Sequence, residues 1–155
     1  MEFRTTAAIL GIALVVIYAV GSGIWVNSSP GWYTSLNRPP WQPPDFVFGI
    51  IWPYNFIVLG FAAVIVSNRL STALVATYLT IFAASVACAL TWAYQFYRPH
   101  NLAAASTALT CVAVLTIALV FIASRASWPL ALALMPYQIW VSIASFLSWS
   151  YARLN

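Results

Sequence analysis

The sequence contains few charged residues. Asp, Glu, Lys and Arg make up 5% of its 155 residues, whereas soluble domains carry about 25%. Hydrophobic residues make up 63%, well above the roughly 45–50% of soluble domains. These proportions exclude a water-soluble monomer. Lysine is absent, and the six arginines lie too far apart to form the basic stripe of a nucleic-acid-binding protein. No DNA or RNA partner is therefore expected.

The residues that usually carry catalysis or bind metals are also scarce. The chain has two acidic residues, one histidine and two cysteines, and it offers neither paired carboxylates nor a Ser/His/Asp set. Cys88 and Cys111 lie in apolar stretches, which favours small hydrophobic residues over a disulfide or a metal pair. His100 follows an Arg-Pro pair and is expected in a surface loop. We therefore expect no metal site and no bound cofactor.

The arginines divide the chain into apolar stretches about as long as a membrane span. Successive arginines are 27 to 34 residues apart, and about 20 apolar residues cross a ~30 Å hydrocarbon core. This spacing predicts an all-α integral membrane bundle of five transmembrane helices, a single multi-pass domain over residues 1–155. The predicted spans are about 5–26, 46–67, 72–97, 102–124 and 129–151. None has a charged residue in its interior, which argues against ion-driven transport. Three arginines fall on each side, so the positive-inside rule gives no orientation.

The connection over residues 27–45 is the only long one predicted. It contains five prolines, and prolines at this density cannot continue a helix. Its apolar aromatic residues favour a structured lid that closes over a pocket. A disordered linker is the alternative.

Aromatic residues are abundant, with eight Trp, eight Tyr and nine Phe. Those near span ends fit an interfacial belt; they are Trp25, Trp128, Trp149 and Tyr151. In span two, Phe48, Trp52 and Phe56 recur every four residues and share one helical face. In span five, one face carries Tyr137, Trp140, Ala144 and Leu147. These two faces predict the walls of a flat cavity, unless the rings only pack helix against helix.

The segment from Trp32 to Trp52 carries a specific motif. Trp32-Tyr33, Leu36, Arg38-Pro39, Trp41 and Pro43-Pro44 resemble the W-Y-x-x-L-x-K/R-P-x-W-x-P-P signature of the TspO/translocator protein family, also called tryptophan-rich sensory proteins or peripheral-type benzodiazepine receptors. The span-five residues Pro136-Tyr137, Trp140, Ala144 and Leu147 resemble the family pattern P-Y-x-x-W-x-x-x-A-x-x-L. The resemblance extends over essentially the whole chain.

The resemblance implies a five-helix bundle in a membrane, for this chain a bacterial cell membrane. It implies binding of porphyrins such as protoporphyrin IX, of isoquinoline and benzodiazepine-type drugs and, in animals, of cholesterol. The family's pocket lies between the helices at the loop side. Together with the two aromatic faces, this gives the following expected ligand-binding residues: Tyr33, Trp41, Pro43, Phe48, Trp52, Asn55, Phe56, Trp92, Tyr137, Gln138, Trp140 and Ala144.

Three functions are compatible with these features. The first is a membrane binding protein for porphyrins and related planar hydrophobic ligands, acting in tetrapyrrole or stress homeostasis. The second is a light-dependent porphyrin-degrading enzyme, in which Trp52 and Trp140 would be the catalytic residues. The third is a transporter of lipophilic solutes such as sterols. Leu147, Tyr151 and Arg153 fit a sterol-contact pattern, but that pattern is permissive.

Two positions depart from the family pattern. The family commonly has an Asn in the third helix and an acidic residue in the fourth, whereas this chain has Cys88, Ala89 and Thr91 near Trp92, and Ala108 in span four. The polar chemistry of the pocket is thus altered. The remaining amide side chains in the spans are each expected to have a hydrogen-bond partner or a ligand, because an unpaired amide in hydrocarbon costs several kcal/mol; they are Asn55, Gln95 and Gln138.

Span three carries small residues at helical spacing, namely Ala83, Ala84 and Ala87, with Ser85 and Ala89 beside them. Small residues let helix backbones approach closely in lipid. This stripe predicts a homodimer through span three, with packing inside one bundle as the alternative.

Overall fold

The computed structural model describes residues 2–155, and over this range the chain forms six α-helices and no strand. The helices are α1 (Glu2–Val26), α2 (Pro30–Ser35), α3 (Asp45–Arg69), α4 (Thr72–Tyr97), α5 (Leu102–Ala126) and α6 (Trp128–Leu154). All except α2 are long and apolar enough to cross a membrane. The predicted fold class, an all-α membrane bundle with five spans, is confirmed. The chain is a multi-pass integral membrane protein.

Short connections join the last four spanning helices. Residues 70–71 link α3 to α4, residues 98–101 link α4 to α5, and residue 127 alone separates α5 from α6. Side-chain caps begin two of these helices: Ser71 accepts from the Leu74 amide at 3.5 Å, and Asn101 accepts from the Ala104 amide at 3.1 Å. Such caps satisfy amides that have no partner inside the helix. Consecutive helices therefore run antiparallel; α4 packs beside α5 and α5 beside α6, whereas α3 and α4 contact each other only slightly.

The connection between α1 and α3 differs from the expected loop, because residues Pro30–Ser35 form α2. Proline is tolerated in the first turn of a helix, where its missing amide hydrogen has no intrahelical acceptor. Pro30 occupies that position. The four later prolines fall after Ser35, in residues 36–44, which are non-helical, as are residues 27–29. The expected loop treats all five prolines as helix-breaking, whereas Pro30 stands at a position where a helix tolerates proline.

The spanning helices form a closed ring. Helix α1 packs between α3 and α4, α5 packs between α4 and α6, and α6 returns to contact α3. Gly11 allows α1 to approach α3 closely, since a Cβ atom at Gly11 would lie 2.4 Å from the Cβ of Ala63. The ring leaves an interior in which side chains from several helices meet.

The outer surface of the ring is apolar. Large hydrophobic side chains such as Phe61, Phe121 and Phe146 are 62%, 64% and 70% exposed. A soluble monomer rarely exposes contiguous apolar patches of this kind. This surface fits the acyl chains of a bilayer.

Some polar side chains inside the ring pair across helices. The hydroxyls of Ser106 and Ser148 are 2.9 Å apart, and those of Thr110 and Ser145 are 2.8 Å apart. These bonds join α5 to α6. Asn55 does not meet the expectation of a partner: it is fully buried, and neither amide atom has a hydrogen bond within the described part of the chain.

Candidate ligand cavity

A cavity of about 510 Å³ lies between the helices at the end of the bundle where α2 is placed. Its lining comes from α1, α2, α3, α4 and α6. Most of that lining is aromatic or aliphatic. The aromatic lining residues are Tyr18, Tyr33, Phe48, Trp52, Phe56, Trp92, Phe96, Tyr97, Trp140 and Tyr151.

One wall of the cavity is the predicted aromatic face of α3. The rings of Trp52 and Phe56 stack with centroids 5.6 Å apart and planes at 26°. Tyr18 of α1 packs edge-on against both rings, at 6.0 Å from Trp52 and 5.2 Å from Phe56. Because edge-to-face and offset pairs are the favourable aromatic arrangements, these contacts hold the α3 rings at fixed angles beside the cavity.

A second wall comes from α6. Trp140, Ala144, Leu147 and Tyr151 succeed one another at intervals of three or four residues and all line the cavity. Phe48 joins this wall to the first, since its ring meets that of Trp140 edge-on at 5.0 Å. Ala144 leaves room beside the large indole. The indole N–H of Trp140 is buried and has no acceptor among residues 2–155, and the same holds for Trp92.

Helix α2 covers the end of the cavity. Its residues Pro30, Tyr33 and Thr34 belong to the lining. The Tyr151 hydroxyl donates to Oε1 of Gln42, and Nε2 of Gln42 donates to the Tyr33 hydroxyl at 3.4 Å. These bonds tie α2 and the following segment to the end of α6.

Trp32 fastens the other side of α2. Its ring meets Phe96 at 5.4 Å and Tyr97 at 6.3 Å, both edge-on. It also stacks flat on His100, with centroids 3.8 Å apart and planes at 8°. His100 adopts a positive φ of 58°, a conformation that few residues other than glycine take. The short connection between α4 and α5 thus presents the imidazole to Trp32.

Polar groups collect where the cavity meets α2 and the start of α3. Asp45, the first residue of α3, lines the cavity beside Thr34. Arg38 lies between α2 and α3, with Nη1 3.7 Å from Oδ2 of Asp45 and Cζ 5.7 Å from the centre of the Tyr33 ring. Arg38 does not itself line the cavity but contacts two residues that do, and we call Thr34 and Asp45, together with Arg38 beside them, the mouth of the cavity.

The structure gathers seven of the twelve expected ligand-binding residues around the cavity. They are Tyr33, Phe48, Trp52, Phe56, Trp92, Trp140 and Ala144. It places the remaining five outside the lining: Trp41, Pro43, Asn55, Tyr137 and Gln138.

Trp41 and Pro43 follow α2 rather than belong to it. Trp41 is 48% exposed and borders a separate groove of about 630 Å³ on the outer face of α6, together with Trp149 and Arg153. Pro43 is half-buried and lines neither space. Both residues lie in the non-helical segment that leads outward from α2 to α3.

The three remaining residues point elsewhere in the ring. The Tyr137 hydroxyl donates to the Tyr18 hydroxyl at 3.5 Å. Tyr137 therefore contacts a lining residue but does not line the cavity itself. Gln138 donates through Nε2 to the Ala113 carbonyl of α5 at 3.1 Å. Asn55 follows Tyr54, whose hydroxyl donates to the Ala133 carbonyl of α6 at 2.9 Å. Asn55 directly precedes Phe56, and adjacent residues on a helix face different directions. Tyr137 shares a face with Trp140 but lies one turn farther from the end of the bundle that α2 covers, beyond the lining residues of α6.

Tyr151 is not the interfacial belt residue that its position near a span end predicts. It is 2% exposed and lies in the cavity lining. Its spacing of four residues from Leu147 carried this signal. The sterol-contact pattern is also split, because Leu147 and Tyr151 face the cavity whereas Arg153 borders the outer groove.

Sequence reasoning also missed the lining residues of α1, where Tyr18 has no aromatic neighbour at helical spacing.

Comparisons with known proteins agree with this architecture. The model of the TspO/MBR family matches residues 8–154. The tryptophan-rich protein TspO of Chlorobaculum tepidum is 30% identical over 155 residues, which cover 99% of this chain and 98% of that protein. Protein CrtK of Rhodobacter capsulatus is 32% identical over 129 residues, covering 82% of this chain and 81% of its own. The translocator protein of Ovis aries is 25% identical over 120 residues, covering 76% and 71% respectively.

The contacts of Trp32 predict that α2 loosens when this ring is removed. In a chain with Cys88→Ser and Cys111→Ser, a reporter cysteine at the lining position Ala19 measures access to the cavity. We expect Trp32→Ala to speed labelling of that cysteine by a water-soluble maleimide about tenfold, because three ring contacts of roughly 0.5–1.5 kcal/mol each are lost. Trp41→Ala, on the outer groove, is the matched control. Equal labelling rates in the two variants would show that Trp32 does not hold α2 in place.

Proposed function

Because the chain belongs to the TspO/MBR family, we propose that it binds porphyrins, such as protoporphyrin IX, and related planar hydrophobic ligands from the bilayer. The observation that carries this proposal is the apolar cavity between the walls of α3 and α6, with Trp52 and Trp140 in its lining. A role in tetrapyrrole or stress homeostasis is the physiological setting that we propose for this binding.

The size and surface of the cavity suit a flat aromatic ligand. Its volume of about 510 Å³ falls within the roughly 300–1,000 Å³ of small-molecule sites. A planar macrocycle gains free energy by leaving water and by stacking on aromatic rings. The buried indole N–H groups of Trp92 and Trp140 have no acceptor among residues 2–155, so each is open to an acceptor on a ligand or to a water molecule.

Indole side chains in the lining also favour a second candidate, light-dependent degradation of the bound porphyrin with dioxygen as the oxidant. Indole is readily oxidised, so a tryptophan stacked on the excited macrocycle can donate one electron to it; the indole is then oxidised, the macrocycle is reduced, and the reduced macrocycle passes the electron to dioxygen. Trp52 and Trp140 are the residues in that position. A third candidate is passive transfer of lipophilic solutes; one relative bears the name translocator protein.

Substitutions of the lining tryptophans test the binding proposal. We expect Trp52→Phe and Trp140→Phe to weaken protoporphyrin IX binding about threefold to tenfold, because each replaces a stacked indole by a smaller ring. The alanine variants should weaken it further. Trp149 is the matched control: it borders the outer groove and donates to Thr110 at 3.1 Å. The measurement is a fluorescence-quenching titration, and equal losses at Trp52, Trp140 and Trp149 would contradict the cavity as the binding site.

The same variants separate binding from photochemistry. If the cavity tryptophans donate electrons, porphyrin absorbance decays under illumination in the wild type and stays constant in darkness. At saturating porphyrin the Phe variants remain loaded, and the double variant Trp52→Phe, Trp140→Phe loses the decay, since phenylalanine is a much poorer donor. Decay that persists in the double variant excludes these two residues as the donors.

We also propose a homodimer through α4. Ala83, Ala84 and Ala87 are exposed on the outer face of α4, whereas Ser85 and Ala89 are buried inside the ring. The exposed alanines present a smooth surface on which a second copy can pack closely. We expect the double variant Ala84→Leu, Ala87→Leu to reduce the crosslinked dimer fraction in membranes severalfold. Ala103→Leu, at an exposed position of α5, is the control, and an unchanged fraction in the double variant would rule out this interface.

A further inference from the structure

The cavity is apolar at depth and charged at its mouth. Trp52 and Phe56 line the part that reaches farthest along α3, whereas Asp45 at the first residue of that helix lines the outer part. Arg38 is the cation beside this outer part, placed there by its contacts with Asp45 and Tyr33. A ligand with one apolar edge and one charged edge has a single favourable orientation in such a space.

The Arg38 guanidinium retains hydrogen-bonding capacity. Its separation of 3.7 Å from Asp45 is longer than a direct hydrogen bond, and the two side chains are 43% and 75% exposed. Guanidinium has five N–H donors in a planar fork that matches a carboxylate. Asp45 also has a favourable position of its own in the first turn of α3, where the helix dipole stabilises negative charge. A ligand carboxylate can therefore displace the Asp45 side chain from Arg38 at little cost in free energy.

We propose that Arg38 binds a carboxylate of the ligand and so selects dicarboxylic porphyrins over their neutral esters. This inference rests on the proposed porphyrin binding. In porphyrins of the protoporphyrin class, two propionate groups lie on one edge of the macrocycle and small apolar groups lie on the opposite edge. An ionised carboxylate is strongly disfavoured in an apolar environment, so the propionate edge stays at the mouth and the apolar edge enters between α3 and α6. Arg38 is then a specificity-determining residue of the cavity.

The competition between carboxylates gives the proposal a distinctive signature. If Arg38 and Asp45 served only to hold the start of α3 in place, loss of either partner would weaken ligand binding. If Arg38 binds the ligand carboxylate, removal of the competing Asp45 charge has the opposite effect from removal of Arg38. The two variants Arg38→Gln and Asp45→Asn thus distinguish recognition from structural support.

The experiment compares protoporphyrin IX with its dimethyl ester on the full chain in nanodiscs of zwitterionic lipid, by tryptophan-fluorescence quenching. We expect Arg38→Gln to weaken binding of the diacid about threefold to tenfold and to change binding of the ester by less than about twofold. Arg38→Lys should keep part of the preference, because it keeps the charge without the fork. Asp45→Asn should strengthen diacid binding. Arg153→Gln, a cation on the outer groove of the same side, should leave both affinities unchanged.

Several results would overturn the proposal. These are equal weakening of diacid and ester by Arg38→Gln, an unchanged preference in that variant, weaker diacid binding in Asp45→Asn, or an equal effect of Arg153→Gln. The failure of the proposed function looks different, because then neither porphyrin binds the wild-type chain saturably. If both porphyrins bind saturably and Arg38 has no role, the cavity remains the proposed binding site and only the proposed orientation of the porphyrin is wrong.

Discussion

Hydrocarbon offers no hydrogen-bond partners to the polypeptide backbone, and this constraint underlies the architecture of the chain. Each spanning segment must satisfy its own amides and carbonyls, which only a helix or a closed barrel achieves. Five helices of 25 to 27 residues meet this requirement, and connections as short as residue 127 join them. Irregular backbone is confined to the ends of the bundle, outside the hydrocarbon, which has no hydrogen-bond partners for it.

The location of the cavity follows from the same constraint. Only the connection between α1 and α3 is long enough to form structure of its own, and it does so as α2 and the segment that follows. Trp32 fixes α2 against α4 and His100, while Tyr33 and Gln42 fix it against α6. The covered end of the ring is thereby closed by side chains that are themselves anchored. A cavity with aromatic walls, a helical cover and a charged mouth results.

Helical spacing was sufficient to predict much of this arrangement. Arginine spacing indicated the five spans, and the four-residue intervals of Phe48, Trp52 and Phe56 indicated the side of α3 that lines the cavity. Other features depend on tertiary context. Tyr151 lies near a span end, where a belt residue is expected, but the bonds of Gln42 and Tyr33 draw it inward. The role of Tyr18 depends on the packing of α1 against α3 at Gly11, which a single sequence does not reveal.

We propose that the cavity between the walls of α3 and α6, and not the lipid-facing surface, receives the porphyrin. The most direct test of this proposal is a spectrum of the indole N–H groups of the eight tryptophans, assigned by single Trp→Phe substitutions, before and after addition of protoporphyrin IX. The ring current of the bound macrocycle shifts nearby protons strongly. Our account predicts that the signals of Trp52, Trp92 and Trp140 move most, while that of Trp128 does not move. Largest shifts at Trp41 and Trp149, which border the outer groove, would contradict it.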